Sequence, residues 1–249
     1  MPLDRNYSNY ISLGSFCSVA MELERYGLRS ASYPFDWLLS PFNGVIEAIN
    51  SKFEALFDES LYEQSKQRLY VYRNSKYNFE FVHDFTKYKP LSSQFSTFCE
   101  KYNRRINRFF EAIGNPTLFI RYISGISELK WIEQNWDFIC ASVKKFNEKN
   151  EFLFVANNGI SSNMFQLYNV APDKNDSVSR SFFSANEMLQ EYFSFCDCSL
   201  KDENLARYKN KNSYVKKHLR LCRKYLNLLV KKIFCTVYVH DKVYLEKDF

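Results

Sequence analysis

Two short apolar runs decide the fold that this sequence predicts: TLFIRY at residues 117–122 and EFLFVA at residues 151–156. Each run is too short for a typical helix and has apolar residues at consecutive positions, a pattern typical of strands buried on both faces. Residues 95–113 and 129–147 carry apolar side chains at helical spacing. A helix before each buried strand is typical of the α/β class. We therefore predict a central, mostly parallel sheet with helical crossovers, in a Rossmann-like variant.

The first half of the chain is predicted to add another strand, two helices and a pair of strands. These elements are a strand at residues 9–13, a helix at 17–28, a helix at 42–57, and strands at 69–72 and 79–82. Gly14 and Ser15 interrupt the chain between the first strand and the first helix, and Gly27 is typical of a helix end.

The composition excludes several classes of protein. The chain has 249 residues, of which 46% are hydrophobic and 18% aromatic, with only six Gly and six Pro. Disordered and collagen-like chains lack such an aromatic content. A chain of this length can bury a substantial core, so we expect a globular protein.

Positive charge is concentrated towards the C-terminus. The net charge is +6, but residues 207–232 contain ten Lys or Arg and no Asp or Glu, which leaves 24 basic and 28 acidic residues elsewhere. We predict an α/β enzyme domain over residues 1–200 and a basic extension over residues 201–249. The extension is predicted to contain an amphipathic helix at 213–232 and a terminal strand at 234–245.

The basic helix has two open interpretations. A cationic helix with a wide apolar face can lie on an anionic membrane, so residues 207–232 could contact the inner membrane face. The same helix could instead pack on the body or on a second copy of the chain. Nucleic acid is disfavoured as a partner because few aromatic residues interleave with the basic ones. The sequence leaves the oligomeric state open.

The seven cysteines predict free thiols rather than a disulfide framework. Residues 1–10 are polar and lack the apolar segment of a secretory leader, so we expect a cytoplasmic protein. A structural zinc is not expected, because Cys196 and Cys198 do not form a CxxC pair and the chain has three histidines. Without a P-loop or a GxGxxG motif, no cofactor is expected either.

Cys17 is the candidate nucleophile. It follows a predicted strand and a Gly turn, and it opens the predicted helix at residues 17–28. Free N–H groups and the positive end of the helix dipole at such a place stabilise a thiolate. The competing interpretation is that Cys17 is a small buried side chain on an amphipathic helix.

His83 is the candidate base, because it ends a predicted strand among aromatic residues. An imidazole there could form an ion pair with the thiolate and later protonate the leaving group. Asp84 is its neighbour, but adjacent residues of a strand point to opposite faces, so Asp36 and Asn157 compete for the role of orienting the imidazole. Asn157 follows a buried strand, where α/β folds place ligands. A hydrogen bond from His83 to a backbone carbonyl is the structural alternative.

Several motifs together resemble the DUF1796 family of papain-like cysteine peptidases. They are SLGSFC at residues 12–17, LR at 28–29, YPFDW at 33–37, HDF at 83–85, YNRRINRF at 102–109 and LFIR at 118–121. The resemblance spans about residues 9–160 and implies a papain-like variant of the α/β fold, as the alternative to a Rossmann-like one, with a nucleophilic site built from Cys17 and His83. The order Cys17, His83, Asn157 is similar to that of papain-like enzymes. The resemblance also implies a bacterial origin and a role in surface-polysaccharide assembly.

A second candidate group, for substrate binding, consists of three arginines and the aromatic side chain of Trp37. Arg104, Arg105 and Arg121 suit bidentate binding of phosphate or carboxylate, for example on a sugar nucleotide or a phosphorylated glycan. The structural alternative for the first two is a solvated helix face.

Three function hypotheses follow from these residues. The first is a cysteine hydrolase or a transferase of acyl or glycan-linked groups. The second is a glycan-pathway transferase or accessory protein in which the arginines bind an anionic donor and Cys17 is structural. The third is a non-enzymatic scaffold held at the membrane by the basic helix.

Overall fold

Helices and strands alternate along most of the chain. The computed structural model describes residues 7–157, 159–170, 186–196 and 202–207. In chain order the elements are β1 (Asn9–Ser12), α1 (Ser18–Arg25), α2 (Phe42–Asn50), β2 (Tyr62–Gln64), β3 (Tyr72–Asn74), β4 (Phe79–Phe81), α3 (Leu91–Ile113), β5 (Thr117–Ile123), α4 (Ile126–Gln134), α5 (Trp136–Lys144), β6 (Glu151–Asn157), β7 (Leu167–Val170) and α6 (Glu187–Phe195).

A four-stranded parallel sheet organises these elements. Its spatial order is β1-β5-β6-β7, and every neighbouring pair is parallel. Ile11 pairs with Phe119, and Phe119 pairs with Phe152 on the other side. Because the strands are parallel, their carboxyl ends meet at one edge, where α/β proteins form sites. The predicted α/β fold with a central parallel sheet is confirmed.

Helices cover both faces of this sheet. On one face, Leu118 and Ile120 of β5 pack in a cluster with Val19 and Leu23 of α1 and with residues of α6. On the other face, Phe119 packs in a larger cluster with residues of α2, α3, α4 and α5. The alternation along β5 is that expected of a strand with two buried faces. Burial of each large apolar side chain contributes about 1.5–3 kcal/mol.

A small antiparallel sheet, β2-β3-β4, packs against α3. Phe81 of β4 meets Phe98 and Tyr102 of α3 edge-on, with ring centroids 5.0 and 5.5 Å apart. Leu39 and Glu80 exchange two backbone hydrogen bonds of 3.0 and 2.9 Å, which join the segment before α2 to β4. This contact brings the end of β4 to the segment that precedes α2.

Several element boundaries differ from the sequence prediction. The helix predicted at 129–147 is two helices, because Asn135 leaves helical geometry at φ −118° and its side-chain N–H₂ donates to the carbonyl of Trp131. The helix predicted at 42–57 ends at Asn50, and Phe53 has a left-handed φ of 64°. The strand predicted at 69–72 lies further along the chain, at Tyr72–Asn74.

The chain divides into two compact units, Met1–Leu205 and Ala206–Phe249. The second unit, with the predicted basic helix and terminal strand, lies outside the described residues except for positions 206 and 207. The predicted domain boundary at residues 200 and 201 therefore stays a prediction. In the described part of the chain, no helix is long and apolar enough to cross a membrane.

Candidate active site around Cys17

Cys17 occupies the N-cap of α1, in the loop that leaves the carboxyl end of β1. Its carbonyl accepts the first helical hydrogen bond, from the N–H of Met21 at 3.1 Å, and its side chain is half-buried. The backbone N–H groups of Phe16 and Ser18 form no hydrogen bond with any residue that the structure describes. The thiol thus lies beside these two N–H donors and the positive end of a helix dipole.

Three consecutive carbonyl groups fix the loop ahead of Cys17. The carbonyl of Leu13 accepts from Arg121 Nη1 at 2.7 Å, and that of Gly14 accepts from the Tyr122 N–H at 3.1 Å. The carbonyl of Ser15 accepts from the Ser40 N–H at 3.0 Å. The loop is therefore anchored to β5 on one side and to the segment before α2 on the other.

Arg121 is fully buried, and its guanidinium is directed at the protein itself. Its Nε and Nη2 lie 2.7 Å from Glu128 Oε1, and Nη2 donates to the Ser40 carbonyl at 2.8 Å. Its Nη1 also donates to Ser40 Oγ at 3.3 Å. Burial lowers the pKa of Arg121, and the Glu128 carboxylate opposes that shift. All three nitrogens are engaged within the protein, so Arg121 has an internal role in addition to its predicted contact with substrate.

Residues 36–40 connect the Cys17 loop (residues 13–17) to His83. Ser40 holds the loop, and Leu39 pairs with Glu80 of β4. The bridge brings Trp37 close to His83, just past the end of β4, and the two rings lie edge-to-face with centroids 6.5 Å apart. Residues 37–40 thus contact both the loop that carries Cys17 and the strand end that carries His83.

His83 and Asp84 lie in different environments, as expected for neighbours at a strand end. His83 is exposed, and none of the described residues forms a hydrogen bond with its imidazole. The Asp84 side chain is buried against α3, where it pairs with Lys101 and accepts from the Tyr102 hydroxyl at 3.3 Å. Asp84 therefore orients Lys101 and Tyr102 in this structure.

Asp36 is linked to His83 through two other side chains. Its Oδ2 accepts from Arg29 Nε and Nη2 at 3.1 and 2.7 Å and from the Tyr33 N–H at 2.9 Å. The Arg29 guanidinium also lies over the Trp37 ring, 5.6 Å from its centroid. Burial raises the pKa of Asp36, while Arg29 and the Tyr33 N–H oppose that rise. Asp36 thus fixes Arg29 and, through it, the ring that contacts His83.

The remaining site candidates occupy α3 and β6. Arg104 is exposed, whereas Arg105 is half-buried over the Tyr102 ring at 5.1 Å, and its Nη1 has no hydrogen-bond partner among the described residues. Asn157 ends β6 at the same sheet edge as the Cys17 loop. The structure does not describe its side chain, so its catalytic role stays a prediction.

Sequence reasoning missed Ser40 and Glu128. Ser40 is separated from Arg121 by 81 positions, and neither residue belongs to a recognisable catalytic pattern. A buried Arg in a strand was the one available signal, because such a charge requires partners. Among the described residues, no group of three or more His, Cys, Asp or Glu could hold a metal ion.

The fold and the cysteine loop define a class, and comparison with known proteins gives its family. The family model described as "Putative papain-like cysteine peptidase (DUF1796)" matches residues 8–157. The chain belongs to this family, and the resemblance drawn from the motifs is confirmed.

The chain is also 32% identical over 139 residues to "Uncharacterized protein R408" of Acanthamoeba polyphaga mimivirus. The aligned stretch covers 47% of this chain and 62% of that relative, which is less than two thirds of its length. No solved structure matches the chain.

Proposed function

We propose that this protein is a cysteine hydrolase or a transferase of acyl or glycan-linked groups, with Cys17 as the nucleophile and His83 as the base. The observation that carries the proposal is the position of Cys17 at the N-cap of α1, beside backbone N–H groups that have no partner among the described residues. The family description, which names cysteine peptidases, supports the same chemistry. The family resemblance implies surface-polysaccharide assembly, so glycan-linked acyl groups are the first substrates to test.

The chemistry follows from these positions. The Cys17 thiolate attacks the carbonyl carbon of the substrate, and the N–H groups of Phe16 and Ser18 stabilise the oxyanion of the tetrahedral intermediate. When this intermediate collapses, the bond to the leaving group breaks, and protonated His83 gives its proton to that group. A thioester remains on Cys17. Water, or the hydroxyl or amine of an acceptor, then attacks it after losing a proton to His83, and the thiolate is released.

An activated ester tests the nucleophile directly. With p-nitrophenyl acetate, attack by Cys17 forms an acetyl thioester and releases p-nitrophenolate, which is followed by its absorbance. We expect Cys17→Ser to abolish acetylation of the peptide that contains residue 17, as measured by mass spectrometry. Cys99→Ser is the matched control, since burial raises the pKa of the Cys99 thiol and its loss should leave the reaction unchanged. Equal acetylation rates in wild type and Cys17→Ser would contradict the proposal.

His83 requires its own variant. Its imidazole is exposed and in ring contact with Trp37, so His83→Ala should not disturb the core. General acid–base catalysis typically contributes about 10²–10⁴-fold, so we expect a loss of that size in turnover of an ester with a poor leaving group. The loss of turnover should be smaller with p-nitrophenyl acetate, because its leaving group departs as p-nitrophenolate and needs no proton. A similar loss with both leaving groups would exclude His83 as the proton donor.

A second candidate function rests on the arginines of α3. Arg105 Nη1 lacks a partner among the described residues, and Arg104 is exposed, so both could bind an anionic group of a sugar nucleotide or phosphorylated glycan. In that case Cys17 is structural. A thermal-shift screen with sugar nucleotides distinguishes the two functions: stabilisation that persists in Cys17→Ser and disappears in Arg105→Met favours anion binding.

Membrane contact through residues 207–232 is a separate part of the proposal. The support is that residues 207–232 contain ten Lys or Arg and no Asp or Glu. A truncation that ends at residue 206 should lose flotation with phosphatidylserine vesicles, whereas the full chain should float. Equal flotation would exclude this segment as the membrane contact.

A further inference from the structure

Arg121 is an unusual residue for its position in β5. Every residue of the strand except Tyr122 is buried, and the positions around Arg121 on the same face are apolar. Burial of a charged guanidinium is unfavourable unless its N–H groups are paired. The side chain also lies over the Phe42 ring, 5.2 Å from its centroid. An apolar residue would fill such a place at less cost, which indicates that the charge serves a purpose other than packing.

The partners of Arg121 come from three separate segments. Leu13 belongs to the loop after β1, Ser40 to the segment before α2, and Glu128 to α4. Two of the acceptors are backbone carbonyls, which therefore have a buried donor. Glu128 is itself fixed, since its other oxygen accepts from the N–H and the hydroxyl of Ser124. The Arg121 guanidinium thus joins the Cys17 loop, the segment of residues 36–40 that contacts His83, and α4.

The hydrogen bonds of Arg121 to the Leu13 and Ser40 carbonyls and to Glu128 form a clamp. This clamp sets the direction of the Phe16 N–H, which is a candidate oxyanion donor. Ser40 is held through its carbonyl and its hydroxyl by Arg121, and its N–H donates to the Ser15 carbonyl. In a trans peptide the N–H points opposite to the carbonyl. The Phe16 N–H therefore points away from Ser40.

We infer that Arg121 is a positioning residue for the Cys17 nucleophile, an inference that rests on the proposed function. It holds the Leu13 and Ser40 carbonyls, which fix the loop that presents the Cys17 thiol and the Phe16 N–H. None of the contacts described for Arg121 involves Cys17 or His83. A displacement of about 1 Å at a reacting group can cost about 10²-fold in rate, so loss of the clamp should reduce the reaction at Cys17 strongly.

The test compares Arg121→Met with Asn150→Ala. Asn150 is also fully buried, but it joins the amino end of β5 to α3 and α5, through hydrogen bonds with Thr117, Ile113 and Val143. Both variants should lose stability, whereas only Arg121→Met should disturb the Cys17 loop. We expect acetylation of Cys17 by p-nitrophenyl acetate to fall at least about tenfold in Arg121→Met and to stay near wild type in Asn150→Ala. Arg121→Lys should give an intermediate rate, because one ammonium cannot serve all three segments.

Amide hydrogen exchange separates this inference from the proposed function. Exchange at residues 13–18 should be faster in Arg121→Met than in Asn150→Ala at matched global stability. Unchanged exchange, or wild-type acetylation in a folded Arg121→Met, overturns the inference. If Cys17→Ser acetylates as fast as wild type, the proposed function fails, and the exchange measurement still decides whether Arg121 holds the loop. If Arg121→Met does not fold, Ser40→Ala and Arg121→Lys replace it, with the same readouts and a smaller expected effect.

Discussion

The packing around Gly14 makes a quantitative prediction for the Cys17 loop. Gly14 has a φ of 83°, and a Cβ atom added there would clash with Ser40 Oγ and lie 2.9 Å from Arg121 Nη1. Gly159 is a matched control, because its φ is 92° and an added Cβ would have nothing within 4 Å. Both Gly→Ala variants have the left-handed backbone penalty, and only the variant at position 14 also has the steric clash.

The expected magnitudes follow from these two contributions. A non-Gly residue in the left-handed region costs about 1–2 kcal/mol, which applies to both variants. Overpacking in a well-packed interior costs a further 1–3 kcal/mol or so, which applies to Gly14→Ala alone. The gain from a less flexible unfolded chain is the same in both and cancels in the comparison. Gly14→Ala should therefore lower the free energy of unfolding by about 2–5 kcal/mol and Gly159→Ala by about 1–2 kcal/mol.

Chemical denaturation followed by circular dichroism measures this difference. The double variant Gly14→Ala/Ser40→Ala removes the atom that clashes, so part of the extra loss should be recovered. That recovery is a coupling between the two positions. Equal losses at Gly14 and Gly159, or an additive double variant, would show that Ser40 and Arg121 do not enclose Gly14 as described.

Three further predictions concern other buried groups. Asn150→Ala should lower the free energy of unfolding by at least about 1–3 kcal/mol, because buried backbone groups lose their partners, whereas Asn147→Ala, at a half-buried residue whose hydrogen bond to the Gly114 carbonyl is exposed, should cost less. Urea denaturation of the pair tests this, and similar losses would contradict it. Tyr77→Phe should cost about 1–3 kcal/mol in the same assay, since its buried hydroxyl bonds to a side chain and to a backbone N–H, whereas Tyr88→Phe, 83% exposed, should be neutral. Burial raises the pKa of the Cys140 thiol above its ordinary 9.0, so its alkylation rate should still be rising with pH at that value. A rate that levels off below pH 9 would contradict this direction.

Much of the fold could be predicted from the sequence because β5 and β6 are buried on both faces. Their consecutive apolar residues have no other good explanation, and the helices around them have clear periodicity. The break at Asn135 could not be predicted, because it depends on one side chain that competes for a helical carbonyl. β7 was also missed, since its four residues alternate weakly and gain their place by pairing with β6.

The candidate site was only partly predictable. The Gly turn followed by Cys17 is a local pattern, so the N-cap position of Cys17 follows from sequence. The proximity of Trp37 to His83 depends on pairing between Leu39 and Glu80, which no spacing indicates. The clamp of Arg121 on Ser40 joins residues 81 positions apart and likewise requires the fold.

Cysteine alkylation against pH tests the central claim most directly. Iodoacetamide reacts with thiolates, and peptide mass spectrometry compares Cys17 with Cys99 and Cys140 in the same molecule. Burial raises the pKa of the latter two thiols, which are therefore suitable internal references. If Cys17 is an activated nucleophile, it should react faster than Cys99 and Cys140 near pH 6. His83→Ala should slow the alkylation of Cys17 without affecting that of the other two cysteines. Alkylation of Cys17 no faster than that of Cys99 and Cys140 near pH 6 would contradict the account.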